Sequence, residues 1–348
     1  MLGAGAVALL GLAACSAGRR ADAGAGSPTS TEVGLPSGSS AHAIRFDGMS
    51  RSYRTYVPDD LDSSRGVPLV VMLHGGFGNA EQAEHGYGWD ARADAGGFVV
   101  VYPDGSGRAW NAGDCCGPPA RNGVDDVGFV EQVVATVSRQ IPIDPRRIFV
   151  TGMSNGAMLA YALICRTEVF AAAAPVAGAQ MQPCTDPSPA SLLHIHGVDD
   201  TSVPLDGSPG DGRGRVPAHT PIPEVIASWR RVDDCGEPSV TTDGPVTTST
   251  ATCARGRAVT LVTVAGAGHQ WPGSTKARPV ISRLLGIDPP SQAFDATGLI
   301  WSFFAEHPAP TRGRTGDQAP SCSAPARMTV TGPSSLTTIT TASGSSKL

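Results

Sequence analysis

Short, nearly unbroken apolar stretches recur through the middle of the chain, at residues 68–73, 97–102, 147–151, 170–176, 191–196 and 258–264. Runs of this length without polar alternation predict strands buried on both faces. Between and after them, residues 124–134, 157–163, 222–232 and 293–305 carry apolar positions at helical spacing or strong helix formers, and predict helices. Asp125 and Asp126 fall in the first turn of the first of these, where negative charge favours the helix dipole. Residues 42–46 and 52–57 read as two short strands joined through a turn at Gly48, a hairpin at a sheet edge. Residues 110–117 hold too many glycines and turn formers for either element. Buried strands alternating with helices predict an α/β fold: a mostly parallel sheet covered by helices on both faces, in a single domain.

The two ends break this pattern. Residues 2–14 are small and apolar, too few to span a membrane, and suit the core of an export signal. They close on Leu12-Ala13-Ala14-Cys15, which resembles a bacterial lipobox whose cysteine is lipidated. The expected organisation is a lipoprotein-type signal at 1–15, a flexible Gly/Ser/Thr/Pro-rich linker at 16–40, a folded domain at 41–307 and a low-complexity, disordered tail at 308–348. This places the protein outside the cytoplasm, extracellular or at the cell surface, touching the membrane only through the Cys15 lipid anchor. A hydrophobic fraction of 41% supplies a sizeable core. A net charge of −5 with no basic stretch argues against nucleic acid as a partner.

An oxidising compartment permits disulfides among the remaining cysteines. Cys165 and Cys184 flank the strand after the 157–163 helix, and Cys235 and Cys253 flank an excursion, so each is a candidate pair. Cys115 and Cys116 are adjacent, open to a bond with each other or with other cysteines, and Cys322 in the tail is the odd one. No C-x-x-C spacing suggests zinc, and no metal is expected.

Chemistry concentrates at Gly152-Met153-Ser154-Asn155-Gly156, where strand must become helix within about five residues. Such a turn strains the residue at its apex, and the flanking glycines remove Cβ atoms that would collide there. Any Gly-rich loop could spell these five letters; a strand before and a helix after single out Ser154 as a nucleophile. Its hydroxyl needs a base with a pKa near neutrality, which points to histidine, and on this kind of elbow the acid and then the histidine follow the serine. His269 follows the 258–264 strand in a loop with glycine on both sides, and is the candidate base. His219 sits among prolines with no strand before it and reads as a surface residue, while His194 and His196 alternate along a strand and read as structural. The acid should follow the 191–196 strand, where Asp199 and Asp200 compete and spacing does not choose. An oxyanion hole needs two backbone N–H groups, for which the candidates are Asn155, after the nucleophile, and Gly76 in His74-Gly75-Gly76-Phe77-Gly78. Phe77, Trp110 and Trp271 are candidate linings of an acyl or aromatic pocket.

Six motifs taken together carry a resemblance: His74-Gly75-Gly76; Trp110-Asn111-Ala112-Gly113 with Cys115-Cys116-Gly117; Val124-Asp125-Asp126-Val127-Gly128-Phe129; Gly152 to Gly156; His196-Gly197 through Asp200 to Val203-Pro204; and Gly268-His269-Gln270-Trp271-Pro272-Gly273. In this order they resemble the secreted α/β-hydrolase esterases of the poly(3-hydroxybutyrate) depolymerase-like and feruloyl/acetylxylan esterase family, over residues 41–307. The resemblance implies a serine esterase acting through an acyl-enzyme without a cofactor, on small or polymeric esters. It also implies Asp200 rather than Asp199 as the acid, because in the family the acid stands three residues before the Val of the Val-Pro pair. Some family members have Cys where Gly76 stands; a backbone donor survives that exchange. A peptidase or acyltransferase on the same fold, and a non-catalytic surface-binding lipoprotein, are the alternative readings.

Overall fold

The computed structural model describes residues 34–185, 187–211, 216–274 and 288–310. The chain enters as a hairpin, β1 (Gly38–Phe46) and β2 (Met49–Val57). It then lays down β3 (Val67–Leu73), α1 (Ala80–Gly86), α2 (Trp89–Gly96), β4 (Val99–Pro103), α3 (Gly117–Arg121), α4 (Asp126–Gln140), β5 (Ile143–Met153), α5 (Asn155–Arg166), β6 (Ala172–Val176) and β7 (Ser191–Gly197). After α6 (Ile222–Val232) comes a second hairpin, β8 (Ser239–Asp243) and β9 (Val246–Thr252), followed by β10 (Ala258–Val264) and α7 (Ala296–Glu306).

The described strands form one ten-stranded sheet in the order β1-β2-β4-β3-β5-β6-β7-β10-β9-β8. The six strands from β4 to β10 in that order run parallel. An antiparallel hairpin closes each edge. The expected mostly parallel sheet is present, and its central strands β3 and β4 are buried along their whole length because both faces are covered. Alternation along β3 shows this directly: Leu69, Val71 and Leu73 enter one core with Phe129 and Val133 of α4, Leu159 and Tyr161 of α5 and Trp229 of α6. Val70 and Met72 enter the other with Trp89 and Ala93 of α2 and Ile300 and Phe304 of α7. Phe304 stacks on Phe149 of β5 with ring centroids 4.7 Å apart, fastening α7 across the sheet centre.

Several boundaries differ from the sequence expectation. The strand expected from residue 42 begins at Gly38, inside the expected linker, because β1 stays in register with β2 back to the pair Gly38–Val57. The domain also runs past residue 307: Ala309 N–H donates to Arg146 O at 2.8 Å. Helix α4 runs to Gln140, capped at its start by the Asp125 side chain, which accepts from Gly128 N–H. Helices α1, α2 and α3 were not expected; α2 buries only Trp89 and Ala93, too thin a stripe to read. The 235–253 excursion is the β8–β9 hairpin. Its Thr-rich strands have almost no buried face and so show no alternation, with β8 exposed throughout. It is tied at its base by Cys235–Cys253, and Cys165–Cys184 ties the end of α5 to the segment after β6. Cys115 and Cys116 bond to each other. The expected export signal with Cys15, the expected linker as far as residue 33, and the expected tail from residue 311 with Cys322 lie outside the described residues. No described helix is long and apolar enough to cross a membrane.

Candidate active site

The site grows from the junction of β5 and α5. Ser154 has φ +55° and ψ −121°, a conformation a side-chain-bearing residue rarely adopts, and it stands directly before the first residue of α5. Crowding explains the glycines around it. A Cβ on Gly152 would lie 2.6 Å from the Gly156 carbonyl carbon, and one on Gly156 would lie 2.6 Å from His74 O. The top of β3 therefore packs backbone to backbone against the first turn of α5. Ser154 N–H donates to Val176 O at 2.9 Å, and Ser154 O accepts from Met158 N–H at 3.0 Å. The strain is held in place by bonds on both sides.

Two further loops at the same end of the parallel strands complete a line of side chains. His269, in the loop after β10, places Nε2 2.9 Å from Ser154 Oγ. Its Nδ1 lies 2.8 Å from Asp200 Oδ2, in the loop after β7. Asp200 Oδ1 accepts from the Ser202 and Val203 amides at 2.9 and 2.8 Å. Burial opposes the charge on Asp200, but its hydrogen bond to His269 and the Val203 amide outweigh it and hold its carboxyl below the usual carboxylate range. Asp199 is exposed, and its amide donates to Ala267 O at 2.9 Å, joining the acid loop to the histidine loop. Asp288 grips His269 from the other side: Oδ2 accepts from His269 N–H at 2.7 Å, and Asp288 N–H donates to His269 O at 2.8 Å.

Gly75 and Gly76 lie against the Ser154–Asn155 turn: a Cβ on Gly75 would be 3.6 Å from Ser154 Cβ, and one on Gly76 would be 3.9 Å from Asn155 Cβ. Neighbouring amides in that loop are committed, Phe77 N–H to Arg108 O and Gly78 N–H to Gly75 O, and among the described residues Gly76 N–H has no acceptor. Asn155 N–H is the first of α5, one of the donors a helix start leaves unpaired. His74 locks the loop from beneath. Its Nε2 accepts from Gly105 N–H at 2.9 Å, so Nδ1 carries the hydrogen and donates to Gly75 O at 2.8 Å. Burial lowers the His74 pKa, in keeping with a neutral ring.

Asn155 is tied by its side chain as well. Trp110 N–H donates to Oδ1 at 2.6 Å, and Nδ2 donates to Trp110 O at 3.1 Å. Asn111 N–H in turn donates to Asp126 Oδ2 at 2.7 Å, and Asp126 Oδ1 accepts from the buried Arg51 at 2.7 Å. Asp126 thus supports the 110–117 loop, a role that a favourable place near a helix start did not reveal; the signal was its place beside Asp125, the residue that caps α4. Trp110 and Trp271, expected to line a substrate pocket, are instead core residues. Trp110 is fully buried with Nε1–H on His74 O, and Trp271 packs on Tyr87 with Nε1–H on Thr297 Oγ1. Phe77 differs: it is 47% exposed, has φ +65°, and follows Gly76 directly. Among the described residues no cluster of His, Cys, Asp and Glu could hold a metal ion.

Chemically, the line from Asp200 through His269 to Ser154 can take a proton from a hydroxyl as that oxygen attacks, with two amides beside it to receive negative charge. Comparison with known proteins gives the family. Residues 51–185 match the family model described as Esterase PHB depolymerase. "Putative esterase NocK" of Nocardia uniformis subsp. tsuyamanensis is 30% identical over 68% of this chain and 74% of its own length. Feruloyl esterase B of Piromyces equi is 30% identical over 61% of this chain, which spans only 41% of that longer protein. Among solved structures, the acetyl xylan esterase from Aspergillus awamori superposes with a TM-score of 0.50 at 16% identity, over 71% of this chain and 99% of that one. At that identity the likeness shows the α/β-hydrolase fold.

The Asn155 ties generate a prediction. Asn155→Ala keeps the backbone N–H but strips the Trp110 amide and carbonyl of their partners. Stability should fall by about 1–3 kcal/mol in urea unfolding. Ester turnover per folded enzyme should fall by up to about 10²-fold as the amide drifts. Unchanged turnover would show that the Trp110 loop does not hold the donor.

Proposed function

We propose that this chain, which belongs to the esterase PHB depolymerase family and is a carboxylic ester hydrolase, works through a Ser154–His269–Asp200 triad and a Ser154 acyl-enzyme. The observation that carries the reading is the unbroken line of contacts, 2.8 Å from Asp200 to His269 and 2.9 Å from His269 to Ser154. His269 takes the Ser154 proton as Oγ attacks the ester carbonyl. Negative charge on the carbonyl oxygen falls between the N–H groups of Gly76 and Asn155. His269 returns the proton to the departing alcohol, leaving the acyl group on Ser154. Water, activated by the same imidazole, then releases the acid. Asp200, kept ionised by its surroundings, orients the ring and balances the imidazolium. No step calls for a metal or cofactor.

Feruloyl and acetylxylan esterases among the relatives support esters of polysaccharide as the substrate class, with polyhydroxybutyrate-type polyester as the second reading from the family itself. Phe77, an exposed aromatic in a strained conformation beside the Gly76 donor, is the surface on which the substrate's apolar part rests. A peptidase or acyltransferase would share the triad and cleave only the activated p-nitrophenyl esters of the panel below, leaving its ferulate, xylan and polyester substrates intact, and a non-catalytic lipoprotein would cleave none of them. Export with a lipid anchor at Cys15 is the reading supported by the apolar 2–14 run and the three disulfides among the described residues.

A panel of p-nitrophenyl acyl esters, methyl ferulate, acetylated xylan and polyhydroxybutyrate tests the function. The wild type should cleave the polysaccharide-type esters, and inactivity on the whole panel would overturn the reading. Asp200→Asn should lower kcat by about 10³–10⁴, because the wrong imidazole tautomer is then favoured, while Asp199→Asn should stay within about tenfold of wild type. A reversed order makes Asp199 the acid. With its folded pKa below the ordinary 3.8, Asp200 contributes stability that is full above 3.8 and lost as pH falls through the folded value. The stability gap between wild type and Asp200→Asn should therefore shrink below pH 3.8; a gap that widens in acid contradicts the assignment.

For the anchor, Cys15→Ala should move the protein from the membrane fraction to the soluble fraction with unchanged specific activity. Partitioning that ignores the substitution removes the lipobox reading.

A further inference from the structure

Three buried polar side chains have no part in the mechanism above. Tyr161 on α5 and His194 and His196 on β7 are at most 1% exposed. Burying such groups is costly unless each is bonded, and all three are. Tyr161 Oη lies 2.7 Å from His194 Nδ1, His194 Nε2 lies 2.9 Å from His196 Nδ1, and His196 Nε2 lies 2.8 Å from Val203 O. The same His196 Nε2 is 3.6 Å from Asp200 Oδ2, the oxygen that meets His269.

One end of the chain sets the direction of every bond in it. A carbonyl oxygen only accepts, so the hydrogen of His196 sits on Nε2 and points at Val203 O. Its Nδ1 is then a lone pair and takes the Nε2–H of His194. The Nδ1 of His194 is left to accept the Tyr161 hydroxyl. Burial lowers the pKa of both histidines, most strongly at His194, in keeping with neutral rings in this sequence of donors. The opposite tautomer of His196 would aim a lone pair at two oxygens, Val203 O and Asp200 Oδ2, and drive the acid loop away.

We propose that the Tyr161–His194–His196 chain positions the catalytic acid: it fixes His196 as the Nε2–H tautomer, whose N–H holds Val203 O and faces the Asp200 carboxylate. Val203 is gripped at both its polar groups, since its own N–H donates to Asp200 Oδ1 at 2.8 Å. The peptide that follows leads into Pro204 and has no N–H of its own, so the Val203 carbonyl depends on a side-chain donor to fix its direction. His196 is thereby a positioning residue, acting on the reaction through Asp200. The inference rests on Asp200 being the acid of the triad.

The test compares His196→Phe with His196→Gln, whose terminal amide can still donate to Val203 O. His196→Phe should lower kcat by about 10- to 100-fold with KM within about threefold of wild type. His196→Gln should recover kcat to within about threefold of wild type. Tyr161→Phe, which keeps the ring and removes only the hydroxyl, should fold and show a smaller loss, about two- to fivefold in kcat, again without a change in KM. A folded His196→Phe enzyme with wild-type kcat overturns the proposal, as does an equal loss of kcat in the Gln and Phe variants. If His196→Phe does not fold, unaltered kcat in Tyr161→Phe overturns it instead. Asp200→Asn runs alongside: full activity there removes the acid assignment itself, whereas loss there with silent His196 variants removes only the positioning chain.

Discussion

The top of β3 and the first turn of α5 approach so closely that no side chain fits between them. Gly152 and Gly156 exist in the chain to allow that contact, with the Leu73 and His74 backbone on the other side. Once strand and helix meet there, the residue between them has no ordinary conformation open to it, and Ser154 is driven to positive φ with its hydroxyl clear of the sheet. The same contact brings the Gly75–Gly76 turn beside Ser154, so one steric constraint sets both the proposed attacking atom and a proposed donor for the charge it would create. The parallel sheet contributes the rest by ending β5, β7 and β10 at one edge, where their loops can reach one another.

Two buried polar networks converge on this point from opposite sides. On one side Arg51 holds Asp126, which holds the Asn111 amide, and the neighbouring Trp110 backbone holds the Asn155 side chain. On the other side Tyr161, His194 and His196 hold the Val203 carbonyl, whose residue holds Asp200, which holds His269. Both are mostly buried, where a met donor or acceptor is rigid. The geometry proposed for attack at Ser154 is thus fixed by groups set back from its hydroxyl.

The sequence made the sheet legible because buried parallel strands leave unbroken apolar runs; β10 and α6 span the residues that pattern predicts. It was silent about α2 and the β8–β9 hairpin because neither buries enough of one face to leave a period. The elbow could be read from glycine spacing, since there a backbone contact dictates residue type. Asp200 could not be separated from Asp199 by spacing, because both stand at the same strand end and only the fold decides which carboxylate turns inward. Trp110 and Trp271 misled for a related reason: a loop tryptophan looks free in sequence, and these two are consumed by the core beneath the loops. The roles of His74, His196 and Asp288 depend on hydrogen bonds to backbone atoms, which leave no trace in residue pattern.

The central claim is that Ser154 is the atom that attacks. A fluorophosphonate probe reacts with a serine whose proton is taken by a neighbouring base, and peptide mass mapping locates the adduct. One probe per folded chain should attach to the peptide carrying Ser154, ester hydrolysis should vanish in step with labelling, and Ser154→Ala should take up none. Label on another residue, or hydrolysis that continues in the fully labelled protein, would contradict it.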